Sequence, residues 1–211
     1  RLLTAYQLKV NELGRLADRH GILLVFDEVQ CGMGRTGKMF ASEHFDAVAD
    51  IVTLAKGIAS GLPLSATIAR AEIMDWKPGA HASTFGGNPV AIAASLATLE
   101  LLEGELIENA ARIGAHMNNR MADFPARFSM VGQVRGLGLM IGIELVKDQN
   151  TKERAPELRD KLVDMCFERG LLVLGAGPNT VRLSPPLVIT REQSDFAVET
   201  ITECLTILHH A

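Results

Sequence analysis

The spacing of apolar positions changes along this chain, and each change marks an element. Leu13, Leu16 and Ala17 recur at three- and four-residue intervals, which predicts a helix over 8–20 with these residues on its buried face. Gly21 follows in the place where a left-handed residue ends a helix at least cost. Two short runs without alternation come next: Ile22-Leu23-Leu24-Val25-Phe26 leads into Asp27, and Ile51-Val52-Thr53-Leu54-Ala55 leads into Lys56. Continuous apolar runs of this length, bounded by turn residues, read as strands of a parallel sheet buried on both faces. Between them lie a Gly-rich connection at 31–37 and a short helical patch at 40–45. A further strand is expected at 65–69. Asn88 suits an N-cap and Pro89 a first helical position, so a helix opens there and runs to about 102. Val90, Ile92, Ala93, Leu96, Ala97, Leu99, Leu101 and Leu102 make that helix apolar nearly all round, which predicts burial.

The character changes at Gly104. An amphipathic helix is expected over 105–122, then strands at 130–135 and 139–146 with Gly136 and Gly138 between them. The polar stretch 147–154 reads as a loop, and Pro156 as a helix start before 157–169. Strands at 171–174 and 180–184 and a helix over 192–210 complete the pattern. The chain therefore reads as an α/β domain over 1–104 and a smaller α+β domain over 105–211. It opens inside its first helix, so a preceding portion of the protein is expected.

Composition narrows the function. Of 211 residues, 47% are hydrophobic and 22% charged, which is ordinary for a globular protein. A net charge of −4 offers no electrostatic footprint for nucleic acid or an anionic membrane. No apolar run has the length of a bilayer span. Cys31, Cys166 and Cys204 are scattered, which points to a reduced, cytoplasmic setting rather than a disulfide scaffold. His20, His44, His116, His209 and His210 have no metal-ligand spacing, so no metal is expected.

Chemistry enters through Asp27 and Lys56. Ligands of open α/β sheets bind outside the carboxyl ends of the strands, and there an acid and an amine would stand side by side. That pair is what a pyridoxal 5'-phosphate (PLP) enzyme uses. Asp27 on its own is either a strand-end acid capping a loop or the partner of a protonated pyridine nitrogen, which makes the ring a better electron sink. Strand alternation puts Val25, Asp27 and Val29 on one face and sends Glu28 the other way, to a structural role. Lys56 is either a solvated charge or an amine primed to attack a carbonyl. Gln30 alone is a loop residue. Thr84 lies in a polar turn where it or Ser83 bonds its own backbone, or else where free amides and a hydroxyl hold phosphate. Arg182 alone is an exposed strand arginine.

Four segments carry a family resemblance: FDEVQCGMGRTGKMFASEHF from Phe26, TLAKGIASGLPLSA from Thr53, HASTFGGNP from His81 and VRLSPPLVIT from Val181. In this order they resemble the class III (ω-type) aminotransferases, from about Leu8 to the C-terminus. The resemblance implies the aspartate-aminotransferase-like PLP fold type I, with the chain supplying part of a large domain with a mainly parallel sheet and then the small domain. It implies that Lys56 holds PLP as a Schiff base and shuttles the substrate proton. Asp27 would pair with the pyridinium nitrogen, Val29 press on the ring, and Gln30 bond the phenolic oxygen. Thr84 would reach the PLP phosphate of the neighbouring subunit, which makes a homodimer with shared sites. Arg182 would fork onto the substrate carboxylate, a geometry lysine does not reproduce. The family's phosphate loop, ring-stacking aromatic, second carboxylate arginine and the acid that toggles it would lie upstream of Arg1. The implied reaction moves a terminal amino group to 2-oxoglutarate, with 4-aminobutyrate as first candidate donor and ornithine or acetylornithine next. The alternatives are a PLP racemase or aminomutase on the same scaffold, or an inactive fragment whose lysine is a surface charge.

Overall fold

The computed structural model describes residues 2–210, with side chains from Lys9 onward. The chain divides into two compact units, Arg1–Ile107 and Glu108–Ala211.

The first unit starts with α1, Leu2–His20. Gly21 takes the expected left-handed conformation, with φ 62°. Of the three residues expected on the helix's buried face, only Ala17 is buried, while Leu13 and Leu16 stay exposed. The apolar runs form β1 (Val25–Asp27) and β2 (Ile51–Leu54), which pair in parallel, and β3 (Ala66–Ala69) joins β2 antiparallel. The sheet is therefore mixed, in the order β1-β2-β3. Neither apolar run is buried on both faces, contrary to the sequence expectation. A short sheet has few helices against it, and Ile22, Leu23, Val25 and Ile68 remain exposed.

Asn88 caps α2 (Pro89–Leu101) as its sequence predicts: its Oδ1 accepts from the amides of Val90 at 2.9 Å and Ala91 at 3.3 Å. The helix is not buried all round. Ala91, Ser95 and Thr98 line its buried side, whereas Val90, Leu96 and Leu101 are more than half exposed. The small residues are inside because that side packs closely on the 3-10 turn Lys56–Ala59, where the Ser60 and Thr98 hydroxyls share a hydrogen bond of 2.9 Å. Gly104 does not break the chain's helical course. A π-helical turn, Leu102–Leu106, carries α2 into α3, Ile107–Arg120.

The second unit is built on an antiparallel sheet, β4 (Val131–Leu137), β5 (Met140–Leu145), β7 (Thr180–Leu183) and β6 (Leu174–Ala176), in the order β4-β5-β7-β6. Alternation on β5 buries Ile141, Ile143 and Leu145 completely. They pack in one core with Ile113 and Met117 of α3, Phe124 of the short α4 (Phe124–Arg127), Leu162 of α5 (Pro156–Glu168), and Ile201 and Leu205 of α6 (Arg191–His210). Gly136 falls inside β4 rather than between strands. Gly138 forms the turn, and α3 approaches it so closely that a Cβ on Gly114 would lie 2.1 Å from the Gly138 oxygen. An ionic cluster locks α3 to α6. Asp195 meets His116 Nε2 at 2.5 Å and Arg120 Nη1 at 2.6 Å, and these two partners hold its carboxyl below the ordinary value. Cys166 and Cys204 are buried free thiols, burial pushing Cys166 up to about 12, so they serve as core packing.

Candidate active site

Parallel pairing of β1 and β2 brings Asp27 into register with Thr53, and Glu28 N–H donates to the Thr53 carbonyl at 3.0 Å. The carboxyl ends of the two strands therefore share one edge. Past Leu54 the chain turns sharply. Ala55 is extended, and Lys56 has φ 47°, the left-handed region in which a side chain with a Cβ is strained. That turn directs Lys56 back across the edge, where its Nζ donates a hydrogen bond to Oε1 of Gln30. Asp27 uses one oxygen locally: Oδ1 accepts from the Val29 amide at 3.0 Å and lies 3.5 Å from the Thr53 hydroxyl. Its Oδ2 has no hydrogen-bond partner among the described residues.

Glu28 points the other way, as alternation requires, and is 2% exposed. It accepts from the amides of Ser42 at 2.7 Å and Ala41 at 3.1 Å and from the Cys31 thiol at 2.9 Å. One buried carboxylate thus ties the strand end to the loop beyond it. Burial, and then this neighbour, push the Cys31 thiol up to about 12, which leaves it unreactive. The loop packs back on the lysine turn, where a Cβ on Gly57 would come within 3.2 Å of Met33 Cβ. Glu28→Ala leaves two amides without an acceptor, and we expect a loss of about 2–4 kcal/mol, read as a lowered thermal or urea midpoint. An unchanged midpoint would show that the anchor contributes nothing.

The structure thus brings Asp27, Val29, Gln30 and Lys56 together. Thr84 hydrogen-bonds none of them. It is exposed on the loop before α2, and it is Ser83, not Thr84, whose hydroxyl closes the turn by accepting from Gly86 N–H at 3.1 Å. Arg182 belongs to the second unit, on β7 between Gly142 of β5 and Leu174 of β6. It is half-buried rather than an exposed strand arginine, and it lines a cavity of about 480 Å³ with Met117, Leu171, Val173, Ile189 and Phe196. No described carboxylate pairs with it. Thr53, which faces Asp27, was not singled out from sequence, because only strand pairing shows that the two are opposite. No helix of the described residues is long and apolar enough to cross a membrane, and among them no three His, Cys, Asp or Glu side chains cluster to hold a metal.

The family described as aminotransferase class-III matches residues 4–205. This chain belongs to the class-III aminotransferases. Among curated class-III relatives, the leucine/methionine racemase of Thermococcus litoralis is 46% identical over 193 residues, covering 90% of this chain and 44% of that protein. The 5-aminovalerate aminotransferase of Pseudomonas aeruginosa is 39% identical over 199 residues, 92% of this chain and 47% of that one. A solved amine transaminase from an uncultivated Pseudomonas species, in its PLP-bound form, superposes with a TM-score of 0.85 at 37% identity, over 92% of this chain and 47% of that chain. The chain spans about half the length of the curated relatives it matches. Its fold is the fold type I arrangement of PLP-dependent transaminases, and PLP is the cofactor indicated by the family and by the PLP-bound structure.

Proposed function

We propose that the protein is a transaminase that moves a terminal amino group, with 4-aminobutyrate the first candidate donor and ornithine or acetylornithine next, to 2-oxoglutarate. The observation that carries this reading is the meeting of Lys56, Gln30 and Asp27 at one strand edge. These residues fit PLP: an acid with one oxygen unengaged, an amine held across from it, and an amide beside the amine. When bound, PLP supplies an electron sink for the carbanion left as the substrate loses a proton. Asp27 would hold the pyridine proton through Oδ2, with Oδ1 kept in place by the Val29 amide. Val29 would press on the ring face, and Gln30 would bond the phenolic oxygen. Lys56 would hold the cofactor covalently, then take and return the substrate proton at Nζ. Thr84, its hydroxyl not used in the turn, would reach the phosphate of a second subunit in a homodimer. We place the enzyme in the cytoplasm.

The test is amino-group exchange with 2-oxoglutarate by the full-length protein. A second reading, a PLP racemase on the same residues, is favoured by the 46% identity to the leucine/methionine racemase. Loss of optical activity from leucine in deuterated water, with no 2-oxo acid formed, would select that reading over transamination.

Arg182 would grip the substrate carboxylate with its planar fork. Each charge-assisted hydrogen bond is worth roughly 1.5–3 kcal/mol, so Arg182→Lys is expected to lower kcat/KM for the oxo acid about ten- to a hundred-fold. Uniform binding of this kind falls mainly on KM. Unchanged oxo-acid kinetics would return Arg182 to a structural role.

A further inference from the structure

Among the described residues, two buried side-chain polar atoms have no hydrogen-bond partner, Nε of Arg182 and Oγ of Ser184. They lie two residues apart on one run of chain. Val181 and Leu183 turn inward to the core, so alternation places Arg182 and Ser184 together on the opposite side. Both line the same cavity, whose walls are otherwise mostly apolar. Gln193, the other polar side chain of that wall, has its Oε1 engaged by the Thr190 amide at 3.0 Å. The two orphans are complementary: Nε–H only donates, and the hydroxyl oxygen accepts. Buried polar atoms are rarely left unpaired.

We propose that Ser184 is a positioning residue for Arg182, its hydroxyl accepting the Nε–H and so aiming the two terminal nitrogens at a substrate carboxylate. The proposal rests on the carboxylate role proposed above for Arg182. A guanidinium can meet a carboxylate side-on, through Nε and one terminal nitrogen, or end-on through both terminal nitrogens. Engaging Nε leaves only the end-on fork. Arg182 has no ion pair with a described residue that would set this choice, and the Ser184 hydroxyl is the other unpartnered buried polar atom on the same cavity wall. The backbone carrying Ser184 is stiff, because Pro185 and Pro186 follow and restrict it to extended conformations. The two atoms are not bonded to each other in this structure. The staggered wells of the serine side chain offer Oγ alternative positions on that fixed backbone, and a carboxylate drawing the guanidinium forward brings Nε–H to one of them.

The test uses the full-length PLP-loaded enzyme and an unreactive dicarboxylate, glutarate, titrated through the absorbance of the bound cofactor. Loss of one hydrogen bond predicts that Ser184→Ala weakens glutarate about three- to ten-fold. It should raise KM for 2-oxoglutarate by a similar factor, with kcat and the spectrum of the unliganded enzyme unchanged. Ser184→Thr, which keeps the hydroxyl, should restore binding, whereas a merely structural serine would give no such rescue. Glutarate binding unchanged in Ser184→Ala, or as weak in Ser184→Thr as in Ser184→Ala, overturns the proposal. If Ser184→Ala has no effect while Arg182→Lys still weakens glutarate, only the serine's role falls. If Arg182→Lys also leaves glutarate unchanged, the carboxylate reading falls and this proposal with it.

Discussion

Replacing Lys56 by alanine is expected to lower kcat by about four orders of magnitude or more, because in the proposed reaction one amine would carry both the covalent attachment and the proton transfer. The side chain is exposed and its one described hydrogen bond is to Gln30, so its loss removes no core packing. The left-handed φ of 47° remains for alanine to adopt, a strain it shares with the wild-type lysine. Asp27 keeps its bonds to Val29 and Thr53 and would still be placed to pair with the PLP ring. The variant should therefore fold, bind PLP without a covalent bond, and fail to turn over. Borohydride treatment followed by mass measurement should add the cofactor's mass at Lys56 in the wild type and nowhere in the variant. Activity near the wild-type level would remove Lys56 from the chemistry.

The second large effect is expected at Asp27→Asn, a slowing of the chemical step by about two to four orders of magnitude. Asparagine preserves shape and can present its carbonyl oxygen to the Val29 amide and the Thr53 hydroxyl. Its NH2 group then takes the place of Oδ2, setting a donor against the pyridinium N–H. The negative charge that favours a protonated ring is also gone. Unfolding midpoints should stay close to wild type, because Asp27 is exposed and its local hydrogen bonds survive. Single-turnover measurement of each half-reaction, followed by the spectrum of PLP, isolates this step. A rate within a few-fold of wild type would make Asp27 a strand-end cap and nothing more.

Both predictions depend on residues that stand out in the sequence, and the reason is local. Asp27 and Lys56 each end an apolar run, and the strand direction that puts them at one shared edge follows from the parallel pairing those runs imply. Asn88 and Pro89 specify a helix start through interactions within a few residues, and that start is where the structure has it. The alternating Ile141, Ile143 and Leu145 likewise define their own buried face. The assignment of Glu28 to a structural role came from the same alternation, though not the identity of its partners Ala41 and Ser42.

What the sequence by itself determined was element type and the residues facing each way, because periodicity and caps act through near neighbours. What lies opposite a face is a matter of tertiary contact, and there the local signals ran out. The apolar side chains of α2 promise burial, but the close approach of the Lys56–Ala59 turn selects the side bearing Ala91, Ser95 and Thr98. Gly104 looked like a break, yet with nothing within 4 Å of its Cβ position and helix on either side, the chain passes through it in a π turn. The antiparallel course of β3 and the turn that brings Lys56 to Gln30 both depend on chain segments brought together only by folding. Hydrogen bonding and burial are satisfied by whichever group is nearest in space, and sequence distance does not fix that group.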